Sequence, residues 1–154
     1  MKSIFKLVAL VFLIQSCAPE SQVYKERQDL SPEIEWKKED VKTFTIPITE
    51  ADKTYALSLE LRYISGYPWD KAKVNAKITS PSGKVENKIY EMQIRDAEGN
   101  YQGNPGMDLW DSEHLVDESL SLPETGNYTI EFTHDMPKDP FPFVLELGVI
   151  LNKK

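Results

Sequence analysis

Apolar and polar residues alternate through most of this sequence, and no other feature constrains the fold as strongly. Successive side chains of a β-strand point to opposite faces, so a period of two predicts strands that bury one face. The pattern occurs at residues 44–48, 55–63, 72–78, 90–94, 128–132 and 143–151. Weaker signals predict two further strands, around residues 23–30 and 116–122.

Turn-forming residues separate these stretches, with Gly, Pro, Asn or Asp in each of the segments 80–83, 97–100, 123–126 and 137–140. About eight strands without crossover helices predict an all-β fold, an antiparallel β-sandwich that is jelly-roll-like. Pro47 lacks a backbone N–H, which places its strand at a sheet edge. The expected core includes Leu57, Leu59, Leu61, Val74, Ile78, Ile130, Phe132, Leu145 and Leu147.

The first sixteen residues have the form of a secretory signal. Lys2 and Lys6 are followed by an apolar run at 7–14, far shorter than the ~20 residues that span a bilayer. Ile14 and Ser16, three residues and one residue before Cys17, resemble a bacterial lipobox, which implies cleavage before Cys17 and acylation of its thiol. The predicted organisation is a signal peptide at 1–16, a lipidated tether at 17–22 and a single sandwich domain at 23–154. The alternative is an ordinary secretory signal followed by a chance cysteine.

The charge of the mature chain limits its partners. Removing residues 1–16 takes away two lysines and no acids, so 16 basic and 25 acidic residues leave a net charge of −9. An acidic chain of this kind argues against nucleic acid and against electrostatic attachment to anionic lipid. We therefore expect membrane attachment through the lipid anchor.

The segment 99–118 is the best candidate for a functional site. It is predicted to be a loop, rich in glycine at its start and in acids at its end, with two aromatic residues that look exposed. Loops at the rim of a rigid sandwich often carry binding residues, so Tyr101, Asp108, Trp110 and Asp111 are predicted protein contacts. Alternatively, Trp110 covers the open end of the core and Asp111 caps a turn.

We predict no metal, no catalytic residue and no cofactor. The acids of this segment could bind calcium, but their spacing matches no EF-hand, and a solvated loop is the plainer interpretation. His114 and His134 are the only histidines, and zinc would need further ligands. No nucleophile or phosphate-binding motif occurs, so neither an enzyme nor a small-molecule substrate is expected.

The order and spacing of several segments resemble the gliding-motility lipoprotein GldH family of Bacteroidota. These segments are 23–24, Trp36, 67–69, 80–85, 90–92, Gly103 with 106–111, 122–129 and 136–148. The resemblance implies a non-enzymatic lipoprotein of the cell envelope, periplasmic or in the outer membrane, whose partners are proteins of the gliding and type IX secretion machinery. Two alternatives are a surface glycan-binding lipoprotein, which needs an exposed aromatic platform, and a small hydrolase, which needs paired carboxylates in a cleft.

Overall fold

The computed structural model of the protein describes residues 21–154, and these residues are all strands, turns and connecting segments without a helix. Cys17, the signal peptide and most of the tether lie outside the described residues, so lipidation and cleavage stay predictions. The strands are β1 (Gln22–Asp29), β2 (Glu35–Trp36), β3 (Lys42–Ile48), β4 (Lys53–Ile64), β5 (Lys71–Thr79), β6 (Val85–Gln93), β7 (Asn104–Pro105), β8 (Leu109–Leu122), β9 (Gly126–His134), β10 (Phe141–Pro142) and β11 (Val144–Lys153). No helix long and apolar enough to cross a membrane occurs in this part of the chain.

The strands form two main antiparallel sheets. The first has the order β1-β11-β4-β8-β7 and the second has the order β3-β9-β5-β6, while β2 and β10 pair separately. The chain passes between the two main sheets at most connections, which gives the jelly-roll-like sandwich predicted from the alternation. β3 lies at an edge of its sheet, so the prediction from Pro47 is confirmed.

The facing sides of the two sheets enclose one hydrophobic core. All of the predicted core residues except Leu145 are buried, with exposed fractions of 4% or less. Leu145 is only half-buried, so its placement in the core is wrong. A β-bulge between Val144 and Glu146 interrupts the register with β4, and Val144 becomes the buried residue instead.

The prediction of a loop over 99–118 is wrong in its second half, because β8 begins at Leu109 and continues to Leu122. The alternation of apolar and polar residues does not reveal this strand. Its core-facing positions include Ser112 and His114, whereas Leu115 points outward and is 54% exposed. Ser112 is buried because its hydroxyl donates to the backbone oxygen of Leu61 at 3.1 Å.

The strand registers define two ends of the sandwich. We call one end the tip; it consists of the segments 30–41, 65–70, 94–108 and 135–143, which join strands there. The opposite end, the base, consists of the turns 49–52, 80–84 and 123–125 together with Ser21 and Lys154. β1 starts at the base, where the N–H of Lys153 donates to the backbone oxygen of Ser21 at 2.7 Å. The chain segment that leads to Cys17 therefore enters the domain at the base.

Candidate functional site

The candidate site lies at the tip, where the first half of segment 99–118 meets the ends of both sheets. A cluster of aromatic side chains fills this end of the sandwich. Tyr63 and Tyr67 are fully buried, and Trp69, Tyr101 and Trp110 are partly buried against the core. These rings cover this end of the core, which agrees with the alternative interpretation given above for Trp110.

Tyr101 is held from several directions. Its ring lies 5.7 Å from the ring of Tyr63 and 5.2 Å from that of Trp110. Its hydroxyl accepts hydrogen bonds from the N–H of Gly66 at 2.7 Å and from Arg95 at 2.9 Å, and the Arg95 guanidinium lies 4.7 Å from the ring centre. These contacts hold the Tyr101 side chain in place. The hydrogen bond from Gly66 also ties it to the segment that connects β4 to β5.

Trp110 is the first core-facing residue of β8. It pairs with Tyr63 of β4, and its indole N–H donates to the hydroxyl of Ser65 at 3.2 Å. The expectation that Tyr101 and Trp110 are exposed is thus wrong, because both rings pack on the core. Their role as protein contacts stays a prediction.

Asp111 points to the opposite side of β8 and lies apart from these rings. Its carboxylate accepts hydrogen bonds from Arg62 at 2.9 and 3.1 Å, and Arg27 approaches it at 3.4 Å. It therefore belongs to an ion network on the outer face of the five-stranded sheet and caps no turn. Asp108 lies in the exposed turn before β8, where its backbone oxygen accepts from the N–H of Ser65 at 2.9 Å.

Glu60 is the centre of this network, and the sequence pattern did not single it out. It lies on the face of β4 expected to be wet, yet it is only 6% exposed. Arg27 donates to its two carboxylate oxygens, each at 2.7 Å, and Lys25 donates at 2.9 Å. The hydrogen bonds from Arg27 hold the pKa of Glu60 below its ordinary value even though burial acts in the opposite direction.

Gly148 explains how the network crosses β11. It lies between Arg27 and Glu60 in the strand register, and a Cβ there would lie 2.8 Å from a carboxylate oxygen of Glu60. The absent side chain thus leaves room for Arg27 to reach Glu60 over the strand. No local sequence pattern marks this network, because Lys25 and Arg27 lie 35 and 33 residues away from Glu60 in the chain.

The two histidines do not form a metal site. Within residues 21–154, no group of three or more His, Cys, Asp or Glu side chains could hold a metal ion. His114 lies on β8, where burial lowers its pKa. His134 is fully buried beside Trp36; its Nε2 lies 3.2 Å from Asp139, and its Nδ1 accepts from the N–H of Met136 at 3.3 Å. His134 therefore holds the segment 135–143 of the tip in place through its contacts with Met136 and Asp139.

The geometry also bears on the two alternative functions. Among the residues described, no exposed large hydrophobic side chain is aromatic, so these residues present no ring platform for stacking on a sugar. The carboxylates of Glu60, Asp111 and Glu146 are paired with arginines on the outer face of a sheet, and no pair of them faces across a cleft. Neither alternative gains support from these residues.

The sequence analysis also missed Met107, the most exposed of the large apolar residues at the tip. Met107 is 99% exposed, in the turn between β7 and β8. An apolar side chain within the turn-forming run 103–108 is the sequence signal that could have marked it.

Comparisons with known proteins found one matching family and two similar gliding motility lipoproteins. The GldH lipoprotein family matches residues 22–151. A gliding motility lipoprotein GldH homolog of Christiangramia forsetii is 24% identical over 137 residues, which cover 89% of this chain and 82% of the relative. The gliding motility lipoprotein GldH of Flavobacterium johnsoniae is 27% identical over 124 residues, covering 80% of this chain and 75% of the relative.

A solved structure, that of a family GH115 4-O-methyl-alpha-glucuronidase, superimposes on 89% of this chain and 18% of its own chain with a TM-score of 0.41 and 15% identity. A likeness at this level carries no argument about function.

Proposed function

The chain belongs to the GldH lipoprotein family, and on that basis we propose that it is a non-enzymatic accessory or assembly component of the machinery for gliding motility and type IX secretion. The observation that carries the proposal is the family match over 22–151, nearly the whole described domain. Two relatives named as gliding motility lipoproteins support it, each aligned over three quarters or more of its own length.

In this proposal the protein is anchored in a membrane of the cell envelope by the lipid on Cys17. One acyl chain binds a membrane only marginally, whereas two or more anchor it stably. The acidic surface adds no electrostatic attraction to anionic lipid. The domain then acts by binding envelope proteins, and Tyr101, Asp108, Trp110 and Asp111 remain the residues first predicted to contact them.

Gene deletion with complementation tests this function. We expect a deletion strain to lose colony spreading and the export of type IX cargo, and we expect the wild-type gene to restore both. A matched strain that carries Cys17→Ala should restore neither, although the protein is still made. A deletion strain that spreads and secretes like the parent would contradict the proposal.

A further inference from the structure

We propose that the turn between β7 and β8 is a docking element for a partner protein, with Met107 as the anchor that enters an apolar pocket bordered by basic residues. This inference deepens the proposed function, because it uses the predicted lipid anchor to orient the domain. It moves the main contact from the half-buried Trp110 to the exposed residue at the end of the same hairpin.

The first observation is exposure. Met107 is 99% exposed, and Leu109, the first residue of β8 after the turn, is 37% exposed. Covering a methionine side chain with an apolar pocket removes roughly 1.5–3 kcal/mol of unfavourable apolar hydration, so Met107 offers that gain to a partner that buries it. Methionine also adapts its shape to an irregular pocket, which suits it to a binding surface.

The second observation is that the turn is tightly held. The N–H of Gly106 donates to the backbone oxygen of Leu109 at 2.6 Å, and the N–H of Ser65 donates to that of Asp108 at 2.9 Å. Gly103, with a φ of +119°, packs so closely on the backbone of Asp111 that a Cβ would collide with it. A side chain presented from a fixed backbone costs less conformational entropy on binding.

The third observation is the position of the turn relative to the anchor. The chain enters the domain at the base, whereas Met107 lies at the tip. The 12 residues of β4 separate the two ends, and at ~3.3 Å per residue they span roughly 40 Å. The segment from Cys17 to Ser21 reaches at most roughly 15 Å when extended, so an upright domain holds Met107 well beyond the membrane surface.

The fourth observation is charge, and it selects a protein over a lipid. The tip segments contain ten acidic and four basic residues, a net charge of −6. The base contains three acidic and two basic residues, a net charge of −1. Anionic lipid surfaces repel an acidic tip, whereas a protein pocket bordered by Lys or Arg complements it.

A pair of matched substitutions in the full-length lipoprotein tests the proposal. Ile89 is the control because it is 64% exposed and lies on β6 of the other sheet. Both Met107→Asp and Ile89→Asp should leave the melting temperature and the membrane-bound amount near wild type, since both positions are on the surface. Met107→Asp should abolish spreading and cargo export, whereas Ile89→Asp should retain both. Wild-type behaviour of Met107→Asp, or equal loss in both variants, would overturn the docking role.

Photo-crosslinking in living cells identifies what the tip touches. A photoreactive amino acid at position 107 should give one discrete protein adduct that is absent at position 89 and is weakened by Asp108→Lys. Adducts with lipid at position 107, or identical adducts at both positions, would overturn the proposal. If deletion of the gene leaves spreading and export intact, the proposed function fails, but this crosslinking still decides whether the tip docks a protein.

Discussion

Replacement of Trp110 by alanine separates a structural role at the tip from a contact role, and the structure favours the structural one. An aromatic side chain buries about 150–250 Å² when it is covered. Trp110 is partly buried, against Tyr101 and the core, so the lower end of that range, about 150 Å², at ~25 cal/mol per Å² gives roughly 4 kcal/mol. We therefore expect Trp110→Ala to lower the free energy of unfolding by about 3–4 kcal/mol, within the range of Trp-to-Ala changes in cores.

Urea unfolding of the purified protein, followed by far-UV circular dichroism, measures this change. Trp110→Phe is the matched control, because it keeps an aromatic ring against Tyr101 and loses the indole hydrogen bond to Ser65. It should cost clearly less than the alanine variant and should retain function. A cost of Trp110→Ala below about 0.5 kcal/mol, together with lost gliding, would refute the structural reasoning and support a direct contact.

Three further predictions concern the anchor, the core and the ion network. Cys17→Ala should appear in the soluble fraction after a high-salt wash, since the thiol is the predicted acyl acceptor; protein of mature size that stays in the membrane would refute lipid anchoring. In urea unfolding, Leu59→Ala should lower the free energy of unfolding by about 2–5 kcal/mol and Leu115→Ala should lower it by less than about 1 kcal/mol, because Leu59 is fully buried and Leu115 is 54% exposed. Similar losses in the two variants would refute the assigned strand faces. The pKa of Glu60 is lowered in the folded state from an ordinary value of 4.5, so its contribution to stability is complete above that pH and is lost as the pH falls through the folded pKa. Glu60→Gln should therefore flatten the dependence of unfolding free energy on pH in the acid range more than Glu118→Gln, a change at an exposed position, and equal slopes would contradict this.

The fold followed from the sequence wherever apolar residues alternate with polar ones. β4, β5 and β9 each bury one continuous apolar row, so both their existence and their buried faces could be predicted. β8 could not be predicted in full, because the polar Ser112 is buried, with its hydroxyl hydrogen-bonded to Leu61, while the apolar Leu115 faces outward. Leu145 was misplaced because a bulge that the sequence does not mark reverses the alternation.

The candidate site was predictable in position but not in detail. The segment 99–118 does reach one end of the sandwich, as expected of a loop rich in glycine. Which side of β8 each residue faces depends on pairing with β4, and this separates Asp111 from Trp110. The burial of Glu60 depends on residues 33 and 35 positions away in the sequence, and such distant partners leave no local pattern.

The central claim, that this lipoprotein works as a component of the gliding and secretion machinery, is tested most directly by purification of the tagged protein from detergent-solubilised native membranes. Mass spectrometry should identify proteins of that machinery among those enriched with the wild-type bait and depleted with a Met107→Asp bait. Recovery of the same proteins with both baits would contradict docking at the tip. Enrichment of envelope proteins unrelated to gliding or type IX secretion would contradict the proposed function itself.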